Sequence, residues 1–469
     1  MRLRNLVPTA FLGLGCVAIA CGGDDFAATP GSGGGGFQTD AGADTSLPSD
    51  GSAAGSFFDV ATSDTTSSPD GQVLTIEPEA PTVTVETGKP VPTLTFEAKV
   101  NGATVAAKWL IDRGEIGTIG LQTGLFTPSG GVGGVAKVTA AIGAGEVSTP
   151  VTVNLVMEQN GAAAGDAGSG FGGWGGVGGE GPGVPIDDAL KAILTGPPSA
   201  DASLKWLYPY DKTTWPLGTL APLLQWTPTA APIDAIYIHL TGKSYEYKGF
   251  FGRPPALPAG APFVHHPIPQ DVWKSALTSC AGGTLTASVV VASGGAAWGP
   301  ITQTWNVASG PLKGTVYYQS YGTSLAKNYE GGIGGDGLFG GATLAIKGGS
   351  SDPTLVAGSN GGHDACRVCH SVSLDGSRMI VQQGLDYGAS SSYALNGAYA
   401  ETPYGAGDIG KFGWIGMYPD GSIGLSNGAP LHAKELPASQ LYDMATAAVV
   451  PSVGLEAFVT KAGFPAFSP

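Results

Sequence analysis

Charged side chains are scarce in this 469-residue chain, and basic ones are scarcer than acidic ones. Only 13% of the residues are charged, and 22 Lys and Arg stand against 37 Asp and Glu, which leaves a formal net charge of −15. An acidic surface repels phosphate backbones, so the composition argues against nucleic-acid binding. We also find no Ser-His-Asp order or carboxylate pair that identifies an enzyme, and the sequence leaves an enzymatic role undecided.

Long apolar runs are missing too. No stretch reaches the ~18 consecutive apolar residues of a membrane-spanning helix. Arg2 and Arg4 precede a shorter apolar run that ends in Val17-Ala18-Ile19-Ala20-Cys21. This segment resembles a bacterial lipoprotein signal, although Ala18 stands where that family usually has Leu. The resemblance implies export and a lipid anchor on Cys21, at the outer membrane or the cell surface; an ordinary secretory signal cut nearby is the alternative.

Cysteines are few, five in all. Cys16 would leave with the signal and Cys21 would be acylated, so that Cys280, Cys366 and Cys369 remain in an oxidising compartment. Three is an odd number, so at least one of them lies outside any intramolecular disulfide.

Glycine, in contrast, is abundant, with 77 residues beside 35 Pro, which indicates β-rich modules joined by flexible linkers. Residues 21–72 hold almost nothing apolar and predict a disordered stalk. Residues 159–203 begin as a Gly-rich linker. Within it, 186–194 predicts a short helix, with Asp187 and Asp188 favourable near its N-terminus.

Short alternating strands with Gly and Pro turns predict a β-sandwich over residues 73–158. Apolar residues recur at every second position at Leu94, Phe96, Ala98 and Val100. The stretch Thr123–Pro128, followed by Gly133–Ala140, resembles a bacterial Ig-like domain. In such a sandwich we expect Trp109 to be a core residue.

A second Ig- or fibronectin-like sandwich is predicted over residues 204–309, with strands at Leu223–Trp226, Ile236–Leu240, Leu285–Val291 and Trp305–Val307. It holds six of the nine tryptophans. We expect most of them in the core, and exposed rings stacking on a polysaccharide are the alternative. His265 and His266 have no further ligand at metal-site spacing, so we expect a solvated loop pair.

The most informative motif is Cys366-Arg367-Val368-Cys369-His370, whose Cys-x-x-Cys-His spacing attaches a c-type haem. In that chemistry the two thiols each add to a vinyl group of the haem, and His370 becomes the proximal ligand of the iron. His370 leads into an apolar run, an Asp-Gly turn and another apolar run, which predicts a β-hairpin. Soluble c-type cytochromes continue with a helix at this point.

Other readings of the motif remain open. Cys366 and Cys369 could form a structural disulfide, or His363 could join them and His370 in a zinc or other metal site. If haem binds, Met379 is the nearest candidate for the sixth iron ligand, with core packing as its alternative role. Weaker candidates for that ligand are His363, Met417, Met444 and His432.

A repeat follows the motif. The segment Ser371–Gly376 has relatives at Gly416–Gly421 and Ala466–Pro469, and the spacings are 45 and 50 residues when they are aligned on Leu374, Pro419 and Pro469. Those are propeller-blade periods. Pro465–Pro469 resembles the start of a TolB-like β-propeller repeat. Two blades and an opening strand cannot close a ring. The resemblance therefore implies an incomplete and truncated propeller, and a partial sheet that stacks on something else is the alternative.

The sequence therefore predicts an all-β protein of two Ig/fibronectin-like sandwiches followed by an incomplete β-propeller. The expected segments are a signal peptide (1–20), a stalk (21–72), an Ig-like domain (73–158), a linker (159–203), a second sandwich (204–309) and a partial propeller (310–469). The expected function is that of a cell-envelope lipoprotein whose haem c, with its iron, serves electron transfer or redox sensing. Its expected partners are the membrane, through the lipid anchor, and a redox protein or a polysaccharide. The alternative is a non-catalytic binding or adhesion scaffold with a Cys366–Cys369 disulfide and no haem.

Overall fold

The computed structural model describes residues 71–162, 182–329, 340–348, 353–383, 389–404, 415–426, 439–460, 462 and 465–467, apart from 230, 256, 258 and 259. All of these residues belong to one compact unit, 62–469. The predicted signal peptide, Cys21, nearly all of the predicted stalk, linker residues 163–181 and His432 lie outside the described residues.

The described N-terminal region consists of strands joined by turns. The strands are β1 (Leu74–Glu77), β2 (Thr82–Glu86), β3 (Leu94–Thr95), β4 (Glu97–Val100), β5 (Ala103–Val105), β6 (Lys108–Ile111), β7 (Gly117–Ile119), β8 (Leu125–Pro128), β9 (Gly134–Ile142) and β10 (Gly145–Asn160). Buried and partly exposed residues alternate along β9 and β10, as expected for strands with one face on a core.

The middle region adds two helices to its strands. Its elements are α1 (Asp188–Thr195), β11 (Trp206–Tyr208), β12 (Thr214–Leu217), β13 (Leu223–Trp226), β14 (Ala235–Gly242), β15 (Tyr245–Gly252), β16 (His265–Pro267), α2 (Gln270–Ser279), β17 (Thr284–Ser293) and β18 (Ala296–Pro311). The helix predicted over 186–194 is confirmed as α1. The Asp187 side chain caps its N-terminus by accepting a hydrogen bond from the Leu190 amide.

The C-terminal region returns to strands. They are β19 (Thr315–Thr323), β20 (Gly340–Lys347), β21 (Thr354–Ala357), β22 (Arg367–Val372), β23 (Arg378–Gln383), β24 (Ala389–Ala394), β25 (Glu401–Tyr404), β26 (Ile415–Met417), β27 (Ile423–Ser426), β28 (Leu441–Asp443) and β29 (Val449–Val450). A 3-10 turn (His363–Ala365) precedes β22, and a one-turn helix, α3 (Leu455–Phe458), follows β29. The described chain is thus mostly β, which confirms the fold class in its coarse form.

One nine-stranded sheet runs through the first two regions. Its order is β12-β18-β17-β14-β15-β10-β9-β6, and β2 also pairs with β10. The link between the regions is a parallel pairing of β10 with β15, from Leu155 opposite Tyr245 to Asn160 opposite Phe250. One apolar cluster likewise extends from Leu74 to Val307. The sheet and its core therefore cross from residues 73–158 into 204–309.

Tryptophans occupy this core as the sequence predicts. Trp109 is buried, and Trp226, Trp273 and Trp305 are fully buried. Trp215 packs edge-to-face on Trp273 and Trp305, with ring centroids 5.2 and 6.1 Å apart. These indoles serve packing.

Three smaller sheets of consecutive strands follow along the chain: β19-β20-β21, β22-β23-β24-β25 and β26-β27-β28-β29, all antiparallel. Met379 and Val381 of β23 pack with Ala345 of β20. Ile380, between them, packs with Ile415 of β26. Because neighbouring residues of a strand point to opposite faces, the β22–β25 sheet lies between the other two.

Candidate functional site

The Cys-x-x-Cys-His motif lies at the start of β22, an edge strand of the β22–β25 sheet. Cys366 follows the 3-10 turn and directly precedes the strand, whereas Cys369 and His370 are within it. The predicted hairpin is confirmed: β22 and β23 are antiparallel and are joined by a turn that contains Asp375 and Gly376.

A β-bulge sits at Cys369 and His370. The pairing of β22 with β23 shifts between Val368 and Ser371, so that these two residues stand opposite Val381 alone. Cys369 has a φ of 55°, in the left-handed region that residues with a side chain rarely adopt. A bulge re-aims side chains, and bulges are over-represented beside functional sites.

Both bulge residues are held by β19 of the preceding sheet. The Cys369 amide donates a 2.6 Å hydrogen bond to Oε1 of Gln319. Burial lowers the pKa of His370, and a hydrogen bond from its ring to the Tyr317 backbone opposes that effect only in part. His370 Nδ1 is buried and has no hydrogen-bond partner. The lowered pKa favours the neutral ring.

Cys366 packs tightly against β20. Its side chain is only 2% exposed. A methyl group placed on Gly341 would come within 2.6 Å of Cys366 Sγ and 2.8 Å of Tyr329 Oη. The structure has both Cys366, buried, and Cys369, half-buried, as thiols.

The donor chemistry of these three residues fits a covalently held haem. A buried imidazole nitrogen without a hydrogen-bond partner, here His370 Nδ1, is a donor that a haem iron can take. The two thiols have the spacing for thioether attachment. A thioether at Cys366 would replace the present packing of that sulfur against Gly341.

Met379 faces the same apolar cluster as Val381 and Tyr393 and is completely buried. Its thioether could reach an iron only by leaving this cluster, so its surroundings favour the packing role. Met444 is also fully buried, and Met417 is half-buried on β26. The side chain of His363 and the whole of His432 lie outside the described residues.

Within the part of the chain that the structure describes, no group of three or more His, Cys, Asp or Glu side chains is placed to hold a metal ion. The alternative zinc site depends on His363, whose side chain is outside that part. It stays a prediction.

The expectation for His265 and His266 is wrong. Both lie on β16, and His266 is fully buried, with its Nε2 accepting a hydrogen bond from the Gly183 amide at 3.1 Å. Burial lowers its pKa to about 3. The Pro-rich surroundings predicted a loop, and no local signal marked the contact with Gly183, 83 residues away.

Cys280 is the C-cap residue of α2, and its thiol is unreactive. It is buried, and burial raises the pKa of its thiol to about 12. Because the thiolate is the reactive form, this cysteine is inert at neutral pH.

The sequence did not indicate the cavity of about 350 Å³ at the turn end of the β22–β23 hairpin, opposite the end that carries Cys366. Its lining includes Arg378, Asn396, Asp420 and Asp443. The Asp420 and Asp443 carboxylates accept hydrogen bonds from nearby backbone amides and hydroxyls, which lower their pKa values. The cavity is separate from the motif.

No family model and no curated protein matches the chain. Matching solved structures include a titin fragment, at 10% identity, 48% coverage of this chain and a TM-score of 0.13. Domains 3–6 of protocadherin gamma B2 match at 9% identity over 70% of this chain and 71% of that chain, with a TM-score of 0.17. Drosophila OTK, extracellular domains 3–5, matches at 9% over 70% and 95%, with a TM-score of 0.15.

This chain covers 60% of the titin fragment. Such low TM-scores carry no argument about function. Among the described residues, no helix is both long and apolar enough to cross a membrane.

Proposed function

We propose that Cys366, Cys369 and His370 hold a covalently bound c-type haem, and that the protein is an exported lipoprotein for electron transfer or redox sensing. The observation that carries the proposal is the His370 ring. Burial lowers its pKa, and its Nδ1 is buried and has no hydrogen-bond partner. The ring follows one thiol by one residue and another by four.

Each residue has a distinct role. Cys366 and Cys369 would hold the haem covalently, each as a thioether formed when its S–H adds across a vinyl group, an addition that needs no oxidant or reductant. His370 would bind the iron, and burial favours the neutral ring that can do so. A haem iron held in this way supplies one-electron transfer between its ferric and ferrous states.

We also propose that the three C-terminal sheets are blades of a TolB-like propeller and that the first two regions are Ig- or fibronectin-like. Face-to-face packing of the β22–β25 sheet on both of its neighbours supports the first assignment. Equivalent turns add to it, because Asp375 and Asp420 each accept a hydrogen bond from the amide two residues later. On this reading β22 is the first strand of its blade.

The lipid anchor belongs to the same proposal. Acylation of Cys21 would hold the protein at the outer membrane or the cell surface, where its partner would be another redox protein. The test is fractionation of cells that make wild-type protein or Cys21→Ser. We expect wild-type protein with the membranes and the variant in the soluble fraction; equal partition of both would contradict the anchor.

The haem is tested by producing wild-type protein and a Cys366→Ala/Cys369→Ala variant with cytochrome-maturation machinery. After acid–acetone extraction, wild-type protein should keep its colour and the double variant should lose it. His370→Ala should keep covalent haem but show a changed absorption spectrum, because its proximal ligand is gone. Colourless wild-type protein would overturn the proposal.

One observation favours the alternative, a non-catalytic scaffold with a Cys366–Cys369 disulfide. Cys366 is as buried as a core residue, which is typical of a structural cysteine. Thiol titration of the denatured protein tests the disulfide once the absorption spectrum has shown that the protein carries no haem, because thioethers would remove the same two thiols. A disulfide would leave Cys280 as the one titratable thiol among the three, in protein that carries no haem.

A further inference from the structure

Arg367, between the two cysteines of the motif, is fixed by an ion pair. Its Nε lies 2.9 Å from Oε1 of Glu401, on β25 at the far side of the same sheet. The Arg367 side chain is 15% exposed and that of Glu401 is 32% exposed. An Arg–carboxylate contact of this kind is stronger and more directional than one between freely exposed groups.

The same guanidinium holds the backbone on which Cys366 stands. Its Nη1 donates to the carbonyl oxygens of Asp364, at 2.5 Å, and Cys366, at 3.2 Å. From the other side, the Thr343 hydroxyl donates to the Arg367 carbonyl at 3.1 Å. The segment that carries Cys366 is therefore tied both to β25 and to β20.

Glu401 is charged in this arrangement. Burial raises its pKa, but hydrogen bonds from Ser391, Arg367 and Tyr393 outweigh burial, so the net effect is a lowered pKa. A compensated pair of one cation and one anion thus lies beside the motif.

We propose that Arg367, held by Glu401, is a positioning residue that keeps the Cys366 segment in place and sets the charge beside the haem. The role in keeping the Cys366 segment in place (the positioning half) does not depend on the proposed function. The role in setting the charge beside the haem (the charge half) rests on it. The spacing pattern assigns no role to Arg367, since it leaves the two residues between the cysteines unspecified.

The positioning half is tested on protein made without maturation machinery, by the rate at which iodoacetamide labels Cys366 in the folded state. Loss of hydrogen bonds from a charged group should raise this rate about tenfold in Arg367→Leu. Arg113→Leu is the matched control, because Arg113 also contacts a carboxylate, Glu115, and a backbone carbonyl, in the N-terminal region. Equal Cys366 labelling in wild-type protein and Arg367→Leu would overturn this half.

The charge half is tested by the midpoint potential of haem-loaded protein. Arg367→Leu should lower the potential and Glu401→Gln should raise it, because a cation favours the reduced iron and an anion opposes it. Arg367→Lys should keep the potential close to that of wild-type protein and still label faster, since an ammonium retains the charge but not the planar fork. A role in folding alone predicts no such opposite signs.

Two results overturn the charge half: shifts of the same sign in Arg367→Leu and Glu401→Gln, or no shift in either. Colourless wild-type protein overturns the proposed function together with this half. The labelling rates would then still decide whether Arg367 positions the Cys366 segment.

Discussion

At His370 two opposing effects act on one ring. Burial disfavours the charged imidazolium, and a hydrogen bond from the ring to the Tyr317 backbone favours it; burial prevails. The lowered pKa favours a neutral ring, and its Nδ1 is buried without a hydrogen-bond partner. An unpartnered buried nitrogen is costly. His266 Nδ1 shares this property, so it is the neighbouring Cys366 and Cys369 that distinguish His370 as a candidate ligand.

Met379 gives a test at the scale of one residue. Met379→Leu should leave the absorption spectrum of the haem-loaded protein unchanged and alter the free energy of unfolding by less than about 1.5 kcal/mol, because Leu and Met have similar volumes. Spectra of both oxidation states and urea unfolding provide the measurements.

Met444→Leu is the control for Met379→Leu, since Met444 is equally buried in the neighbouring apolar cluster. A spectral change in Met379→Leu that is absent from Met444→Leu would show that Met379 binds the iron and does not merely pack.

Among single residues, those with a fixed spacing could be predicted and their surroundings could not. Cys366, Cys369 and His370 are recognisable because haem attachment requires two Cys and one His at fixed positions within five consecutive residues. Tyr317 and Gln319, which hold His370 and Cys369, lie about fifty residues earlier and carry no local mark. His266 was misassigned for the same reason, because its burial depends on distant chain segments.

At the scale of elements, the site depends on the packing of Cys366, at the start of β22, against Gly341 of β20. Gly341→Ala should destabilise the fold by about 1–3 kcal/mol, because its methyl group would press on Cys366 Sγ and Tyr329 Oη. The change should also alter the reactivity of the Cys366 thiol. Urea unfolding and thiol labelling are the measurements.

Gly322→Ala, on β19 of the same sheet, is the matched control for Gly341→Ala. A methyl group at Gly322 has no neighbour within 4 Å. Equal stabilities of the two variants would mean that Cys366 is not packed against β20.

Strand β16 makes stability depend on pH through His266. Its folded pKa is about 3, below the value of about 6.5 expected for an unfolded chain. Below about pH 6 the unfolded chain therefore binds a proton that the folded protein does not, and stability should fall by about 1.4 kcal/mol per pH unit.

Urea unfolding of wild-type protein and His266→Gln between pH 7 and pH 4 isolates the contribution of His266. The stability difference between the two should change with pH in this direction. A difference that is constant over the range would contradict the buried, neutral state of His266.

Single strands, turns and helices are easier to predict from the sequence than the pairing of strands that lie far apart in the chain. The strand at 223–226, the hairpin after His370 and the capped helix α1 follow from alternation, an Asp-Gly turn and Asp187. Helix α2 was missed, since its ten residues lie in a β-rich stretch with Pro269 before them. The pairing of β10 with β15 joins segments ninety residues apart, which no local pattern encodes.

At the scale of the molecule, the proposed function combines three features: an exported chain with a lipid anchor, a continuous β platform, and a redox group on the first strand of a blade. Of the three, the β platform, which is the nine-stranded sheet with its apolar cluster from Leu74 to Val307, is the best supported, because both run through the first two regions. The net charge of −15 favours partners with a basic surface.

The central claim is tested most directly by the intact mass of the purified protein, made with cytochrome-maturation machinery and denatured before measurement. The account predicts a mass that exceeds the processed polypeptide by one haem. Because trypsin also cuts after Arg367, it further predicts two tryptic peptides, one with Cys366 and one with Cys369, that stay joined through the haem. A mass equal to that of the polypeptide with its thiols intact, or lower by two hydrogens as for a disulfide, would contradict it.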